Sequence, residues 1–333
     1  MKPERTHPPR ADPPPRVAEP WQGEGFGLLF SGRYPVIGLA ERESRPLDDT
    51  TALLLDKPPA ALPAGERVHE LRYSDGRLGM AIDDFGDLGL VVSAPRFGSH
   101  HISSDGTTVR SRPARLPAWR WQRLLIGQVL PLVAALRGLE VLHASAIARD
   151  GCAFALTGDS GAGKSTLAAQ LVLRGNRLLA DDVLAISLSD AGIPQAHRGS
   201  TALSVGREDA EIAAQLVRSG TATAIGSDAK EHVLLPAADR ALALAAVYLL
   251  SQDDIGAPPI GAPRTPTLSD LMSATYVRYL HTPARLTSQL EVQSAVARHC
   301  QIVPVNVGAG LSSAQLAAQL QAHMTTIASG NAR

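Results

Sequence analysis

The residues Gly158, Asp159, Ser160, Gly161, Ala162, Gly163, Lys164 and Ser165 carry the clearest chemistry in the chain. Their order, G-x-x-x-x-G-K-S, is that of a loop that wraps phosphate groups. Its glycines let the backbone curl until successive N–H groups point inward at phosphate oxygens. Lys164 supplies a point charge for the β/γ-phosphates of a nucleotide, and Ser165 a hydroxyl for Mg²⁺. Thr166 closes the nucleotide-binding run. A second element, Arg177-Leu178-Leu179-Ala180-Asp181-Asp182, follows soon after the loop, so a strand there returns two carboxylates toward the phosphate site. A third is His143, on the apolar run before the loop. Lysine is scarce: Lys2, Lys57, Lys164 and Lys230 stand among 32 basic residues, which makes Lys230 a candidate second cation near substrate or phosphate.

These residues need a scaffold, and the pattern around them supplies one. The apolar runs Val141–Ala148 and Cys152–Thr157 flank an Arg149-Asp150-Gly151 turn and read as strands. A helix follows Gly163, reaches Leu173 and stops at Gly175. Arg177–Ala180 and Val183–Leu188 read as further strand. Beyond them come a helix near Glu208–Arg218, a strand at Ala243–Leu250, helical segments at Leu268–Leu280 and Leu286–Arg298, a strand at Ile302–Val307 and a helix at Ser312–Ile327 with Ser312 as its N-cap. This alternation predicts an α/β layered unit. From Phe26 to about Arg115 the text differs: short β-type runs are broken by Ser74-Asp75-Gly76, Phe85-Gly86-Asp87 and Ser104-Asp105-Gly106, which are hairpin signals. Asp83 and Asp84 read as turn carboxylates rather than a metal pair. Trp119–Arg137 is a helix with a dense apolar face, with Gly138 as its stop and Pro131 as a source of a kink. The expected organisation is a Pro-rich disordered leader over 1–20, a β-rich unit over 21–117, and a nucleotide-binding unit over 118–333.

Composition removes several classes. The chain has 333 residues, 44% of them apolar, with 32 basic against 32 acidic residues. The even balance argues against a nucleic-acid partner. No apolar run reaches the roughly 18 residues of a membrane span, and the first ten residues lack a signal core. Cys152 and Cys300 form neither a metal motif nor a disulfide framework, so a reducing cytoplasm is expected.

Taken together, His143-Ala144-Ser145-Ala146, Gly158–Ser165 and Arg177–Asp182 resemble the C-terminal kinase domain of HPr kinase/phosphorylase, which has a GDSG-x-GKS loop, an RL-x-ADD strand and a preceding histidine. The layout is similar to HPr-kinase-like proteins of bacterial biosynthetic clusters, including those for lasso peptides. The resemblance implies an α/β fold with the P-loop of the HPr kinase/phosphoenolpyruvate carboxykinase type. It also implies use of ATP and Mg²⁺, and transfer of phosphate to a serine of a peptide or protein, including a ribosomal precursor peptide. By that resemblance Asp181 is the catalytic base, Asp182 supports Mg²⁺ with Ser165, and His143 sits by the transferred phosphate with Lys164. Thr166 stands where enzymes acting on HPr have glutamate, and His197-Arg198-Gly199-Ser200 only partly matches the family's later I-R-G-L-G signature. Two other readings use the same residues: a sugar or amino-acid kinase, and a nucleotide-binding module without transfer activity, for which the aspartate pair would be superfluous. Homo-oligomerisation stays open.

Overall fold

The computed structural model describes residues 20–42, 49–56, 62–236, 241–252 and 257–331. The expected leader, apart from Pro20, lies outside them.

The N-terminal part contains β1 (Trp21–Gly25), β2 (Leu28–Gly32), β3 (Ala40–Glu41), β4 (Thr50–Leu55), β5 (Glu66–Arg72), β6 (Leu78–Asp84), β7 (Leu90–Ala94), β8 (Gly98–Ile102) and β9 (Thr108–Pro113). Among the described residues they make one sheet in the order β3-β1-β2-β4-β9-β8-β7-β6-β5, so β5 is an edge strand. The Asp-Gly steps sit between the strands they were expected to separate. Asp83 and Asp84, expected in a turn, are instead the last two residues of β6: Asp83 lies opposite Arg67 of β5 and accepts from its side chain, and Asp84 accepts the Gly86 amide of the turn that follows.

A helical segment then crosses to the second part: α1 (Ala118–Leu124), a π-turn (Leu125–Val129) and α2 (Leu130–Leu136). Pro131 explains the irregularity. Having no N–H, it cannot donate to the carbonyl of Gly127 four residues back. The Tyr276 hydroxyl donates to that carbonyl instead, and the Gln128 amide donates to the same hydroxyl at 2.5 Å. The apolar face of this segment, including Trp121, Leu125, Val129 and Leu132, shares one buried cluster with Phe30, Ile82, Val92 and Ile102 of the N-terminal sheet. The same cluster takes in Val141, Val183 and Ala185 of the second part.

The second part runs β10 (Glu140–Arg149), β11 (Cys152–Thr157), α3 (Lys164–Leu173), β12 (Arg177–Ala180), β13 (Val183–Leu188), β14 (Pro194–Ala196), β15 (Ala202–Gly206), α4 (Ala210–Arg218), β16 (Thr223–Ser227), β17 (Lys230–Leu234), β18 (Leu242–Ser251), α5 (Leu268–Ser273), α6 (Pro283–His299), β19 (Gln301–Asn306) and α7 (Ser313–Asn331). It is a mixed α/β arrangement with a large sheet. Strands β11, β10, β13, β14 and β18 pair in sequence, and β18 pairs back with β11 in parallel, closing a ring. Strand β19 flanks β18 and β12 flanks β10. A smaller sheet, β15-β17-β16, stands beside it.

Two expectations need correction. The helix read over Leu268–Leu280 ends at Ser273. The chain beyond it is extended because His143 N–H donates to Ala274 O and Tyr276 N–H donates to Val141 O, which ties it to β10. The β-branched Thr275 and Val277 suit that extended path. Strands β14 to β17 were not foreseen: they are short, and several carry polar residues without clean alternation. The Ser312 cap is present, with Gln315 N–H donating to its hydroxyl and Ser312 N–H to the Gln315 side chain.

Candidate active site

The phosphate-type loop joins the end of β11 to the start of α3. Gly163, at φ 86°, caps the helix in the left-handed region that only glycine enters freely. Gly158 is required by contact: a Cβ there would lie 2.6 Å from the Leu250 carbonyl oxygen on β18. Cβ atoms added at Gly161 or Gly163 would meet open space, so the loop surrounds a cradle rather than a packed turn. Lys164 is buried and donates to the carbonyls of Gly158 and Asp159 at 2.7 and 3.0 Å, which holds its ammonium group at the loop. Burial lowers its pKa, and the charges of Asp182 and Asp181 work against that shift. The Thr166 hydroxyl donates to Asp209 at 2.8 Å, so at the loop Thr166 offers its amide rather than its side chain.

Register places the carboxylates. Strand β10 pairs first with β13, at His143↔Val183, and then with β12, at Ala146↔Ala180. Asp181 and Asp182 fill the gap between β12 and β13, so they face the middle of β10. Asp181 is buried and accepts three hydrogen bonds: from Ser145 Oγ at 2.7 Å, Ser165 Oγ at 2.9 Å and the Ser204 amide at 3.2 Å. Burial, then the neighbouring Asp182 charge, raises its pKa, and those donors oppose the rise. Asp182 is different. It sits at φ 67°, a strained position for a non-glycine residue. Although ringed by protein, 56% of its side chain is reached by solvent, at the floor of a cavity. Its carboxylate lies 3.5 Å from His143 Nε2. Burial raises its pKa, while Lys230, Lys164 and Arg123 pull it down. Burial and then the Lys164 charge depress the His143 pKa to about 4, so the imidazole is neutral at pH 7.

Sequence reasoning missed a hydrogen-bonded chain that ends on this pair. Arg123 of α1 pairs with Asp228 at 2.5 Å, Asp228 bonds His232 Nε2 at 2.9 Å, and His232 Nδ1 bonds Ser204 Oγ at 2.9 Å. The Ser204 amide completes the chain at Asp181. Burial alone would raise the Asp228 carboxyl, but its bonds to His232 and to the Lys230 amide, with the Arg123 charge, hold it at about 2. These residues converge through β15 and β17, where Ser204 pairs with His232 in register. The ring of Trp119 lies 5.4 Å from that of His232. The sequence signal available was the i, i+4, i+8 spacing of Trp119, Arg123 and Gly127, which puts them on one helix face; all three line the cavity. Lys230 lines it as well. Arg198 goes elsewhere, to Glu24 of the N-terminal sheet at 3.4 Å.

The cavity, of about 360 Å³, is bounded by Ser165, Asp181 and Asp182 on one side and by β5, β6 and the Ala94–Phe97 turn of the N-terminal sheet on the other. Among the described residues no trio of His, Cys, Asp and Glu side chains forms a closed metal site. The Ser165 hydroxyl and the two carboxylates are hard oxygen donors. They fit Mg²⁺, which is commonly held by one or two carboxylates together with substrate phosphates and water.

No family model and no curated protein matches the chain. Among solved structures, the HPr(Ser) kinase/phosphatase from Coxiella burnetii is similar with a TM-score of 0.32 and 12% identity, over 56% of this chain and 97% of that one. No helix among the described residues is long and apolar enough to cross a membrane.

Proposed function

We propose that the protein is an ATP- and Mg²⁺-dependent kinase of the HPr-kinase-like P-loop type, transferring the γ-phosphoryl group to a serine hydroxyl of a peptide or protein. The observation that carries this reading is the 2.9 Å bond between Ser165 Oγ and Asp181, made at the end of a glycine-rich loop, with solvent-reached Asp182 beside it.

The geometry favours exchanging the roles that the sequence resemblance gave the two aspartates. Asp181 has its oxygens committed to three donors, one of them the hydroxyl assigned to the cation, so it is suited to orienting Ser165 and supporting Mg²⁺. Asp182 faces the cavity and is free to accept a proton. Mg²⁺, when bound, neutralises phosphate charge. The serine oxygen forms a bond to the γ-phosphorus, the bond from phosphorus to the bridging oxygen breaks, ADP leaves, and the serine proton passes to Asp182. Lys164 and the loop amides stabilise charge on the phosphoryl oxygens. Neutral His143, 3.5 Å from Asp182, helps set the position of that carboxylate without adding charge.

Calorimetry with ATP and Mg²⁺, paired with intact mass of serine-containing acceptors, tests the reading. Wild-type protein should bind ATP and add one phosphate to an acceptor, and Lys164→Ala should do neither. Equal nucleotide affinity in the two proteins would remove the P-loop assignment.

A further inference from the structure

We propose that the acceptor is a linear peptide that adds to the free edge of β5, with its serine at Asp182 and a bulky apolar neighbour in the cavity between the two parts of the molecule. This rests on the kinase reading and names the acceptor's chemistry and docking surface.

Three observations converge. First, the cavity that holds Asp182 is not confined to the P-loop part. Its far wall is Leu71, Tyr73, Met80 and Phe97 of the N-terminal sheet, closed above by Trp119 and Ile126 of the helical segment. Such a wall gives a hydroxyl donor alone nothing to bind, but it suits an apolar side chain held close to that hydroxyl. At about 360 Å³ the cavity is at the small end of ligand sites and takes a few side chains rather than a folded domain. Second, β5 ends the nine-stranded sheet. Among the described residues, 66–72 make backbone bonds to β6 but to no strand on the other side. An open edge of this kind supplies main-chain donors and acceptors to an extended chain, whatever its side chains. Third, the cavity opens where that edge ends. Leu71 and Tyr73 are among the exposed large apolar residues, at 50% and 38% exposure, and both line it. A sugar or free amino acid would use Asp182 and leave both the edge and these two side chains uncovered. An extended peptide uses all three. Gly127 adds to the fit, since even a Cβ there would stand 4.0 Å from the Asp182 carboxylate and a larger side chain would fill the space beside it.

The test uses the full chain, Mg²⁺ and labelled ATP with an array of single-serine decapeptides. The expected result is a preference of about tenfold or more in kcat/KM for Leu, Phe or Met over Asp or Gly within two positions of the serine, the scale set by apolar pocket contacts. Leu71→Asp and Tyr73→Asp, both at exposed sites, should each lower kcat/KM for the best peptide by about tenfold, with the Kd for a non-hydrolysable ATP analogue unchanged. Arg77→Ala, on the same hairpin tip, should keep transfer within about twofold of wild type. N-methylation of alternate peptide amides should reduce phosphorylation where those amides pair with β5. A flat peptide preference, or Leu71→Asp and Tyr73→Asp both behaving as Arg77→Ala does, overturns the proposal. Faster phosphorylation of a free sugar or amino acid than of any peptide overturns it together with the peptide or protein acceptor of the proposed function, and leaves only ATP-dependent phosphoryl transfer at this site. Failure of the wild-type protein to bind ATP removes both.

Discussion

Two adjacent aspartates with the same covalent chemistry are made different by what touches them. Asp181 is saturated with donors, whereas Asp182 is held at a positive φ with its carboxylate in a cavity. Asp182→Asn should therefore retain ATP binding and lose about 10²–10⁴-fold in transfer rate, the usual range for a missing general base. Asp181→Asn should instead weaken Mg²⁺-dependent nucleotide binding. Single-turnover rates and calorimetry on the pair distinguish the two outcomes, and the reverse pattern would restore the order implied by the sequence resemblance. The acid limb of kcat/KM gives a second check. A base must be unprotonated to act, so activity falls as pH drops through the Asp182 pKa, which burial raises above the ordinary carboxylate value. Lys230 lowers that pKa, so Lys230→Ala should move the limb to higher pH, as read from a pH–rate profile. Much of this site was legible in the sequence because its residues are local: the loop, the aspartate pair and His143 lie on consecutive strands. Ser204, Asp228 and His232 were not, because each is an ordinary polar residue until β15 and β17 pair.

At the scale of elements, the helical segment between the two parts shows how one residue sets several contacts. Pro131 leaves the Gly127 carbonyl without its helical donor, and Tyr276 fills the vacancy from an extended segment that the sequence pattern had placed in a helix. Periodicity alone could not show that the Thr275–Val277 stretch is drawn out of helical form by backbone bonds to β10. Removing the hydroxyl by Tyr276→Phe strands a carbonyl in a part-buried site, which should cost about 1–3 kcal/mol in urea denaturation. Adding Pro131→Ala supplies the absent N–H and should recover part of that loss. Strict additivity of the two substitutions would show that they do not share the Gly127 carbonyl.

Across the whole molecule, the change from short β-type runs to alternating strands and helices is readable in the text, but the way the two parts are joined is not. The apolar face of 118–136 suggests only that something covers it. The structure shows that the cover is the N-terminal sheet on one side and β10 and β13 on the other, within a single cluster. A chain beginning at Ala118 would expose Trp121, Leu125, Val129 and Leu132, so it should aggregate or lose cooperative melting. Circular dichroism and light scattering would show this, and a soluble, ATP-binding truncation would argue that the two parts are energetically separate.

The ring of strands carries a consequence for how the protein is made. Its closing contact pairs residues 152–157 with 243–249 in parallel, so two distant segments must meet before it forms. Such non-local pairings are acquired slowly. The Gly158 backbone packs against Leu250, directly after that pairing, so the loop has its final shape only when the ring is shut. During refolding, helical signal should therefore return before the capacity to capture nucleotide, and binding of a fluorescent ATP analogue would time the last step of assembly.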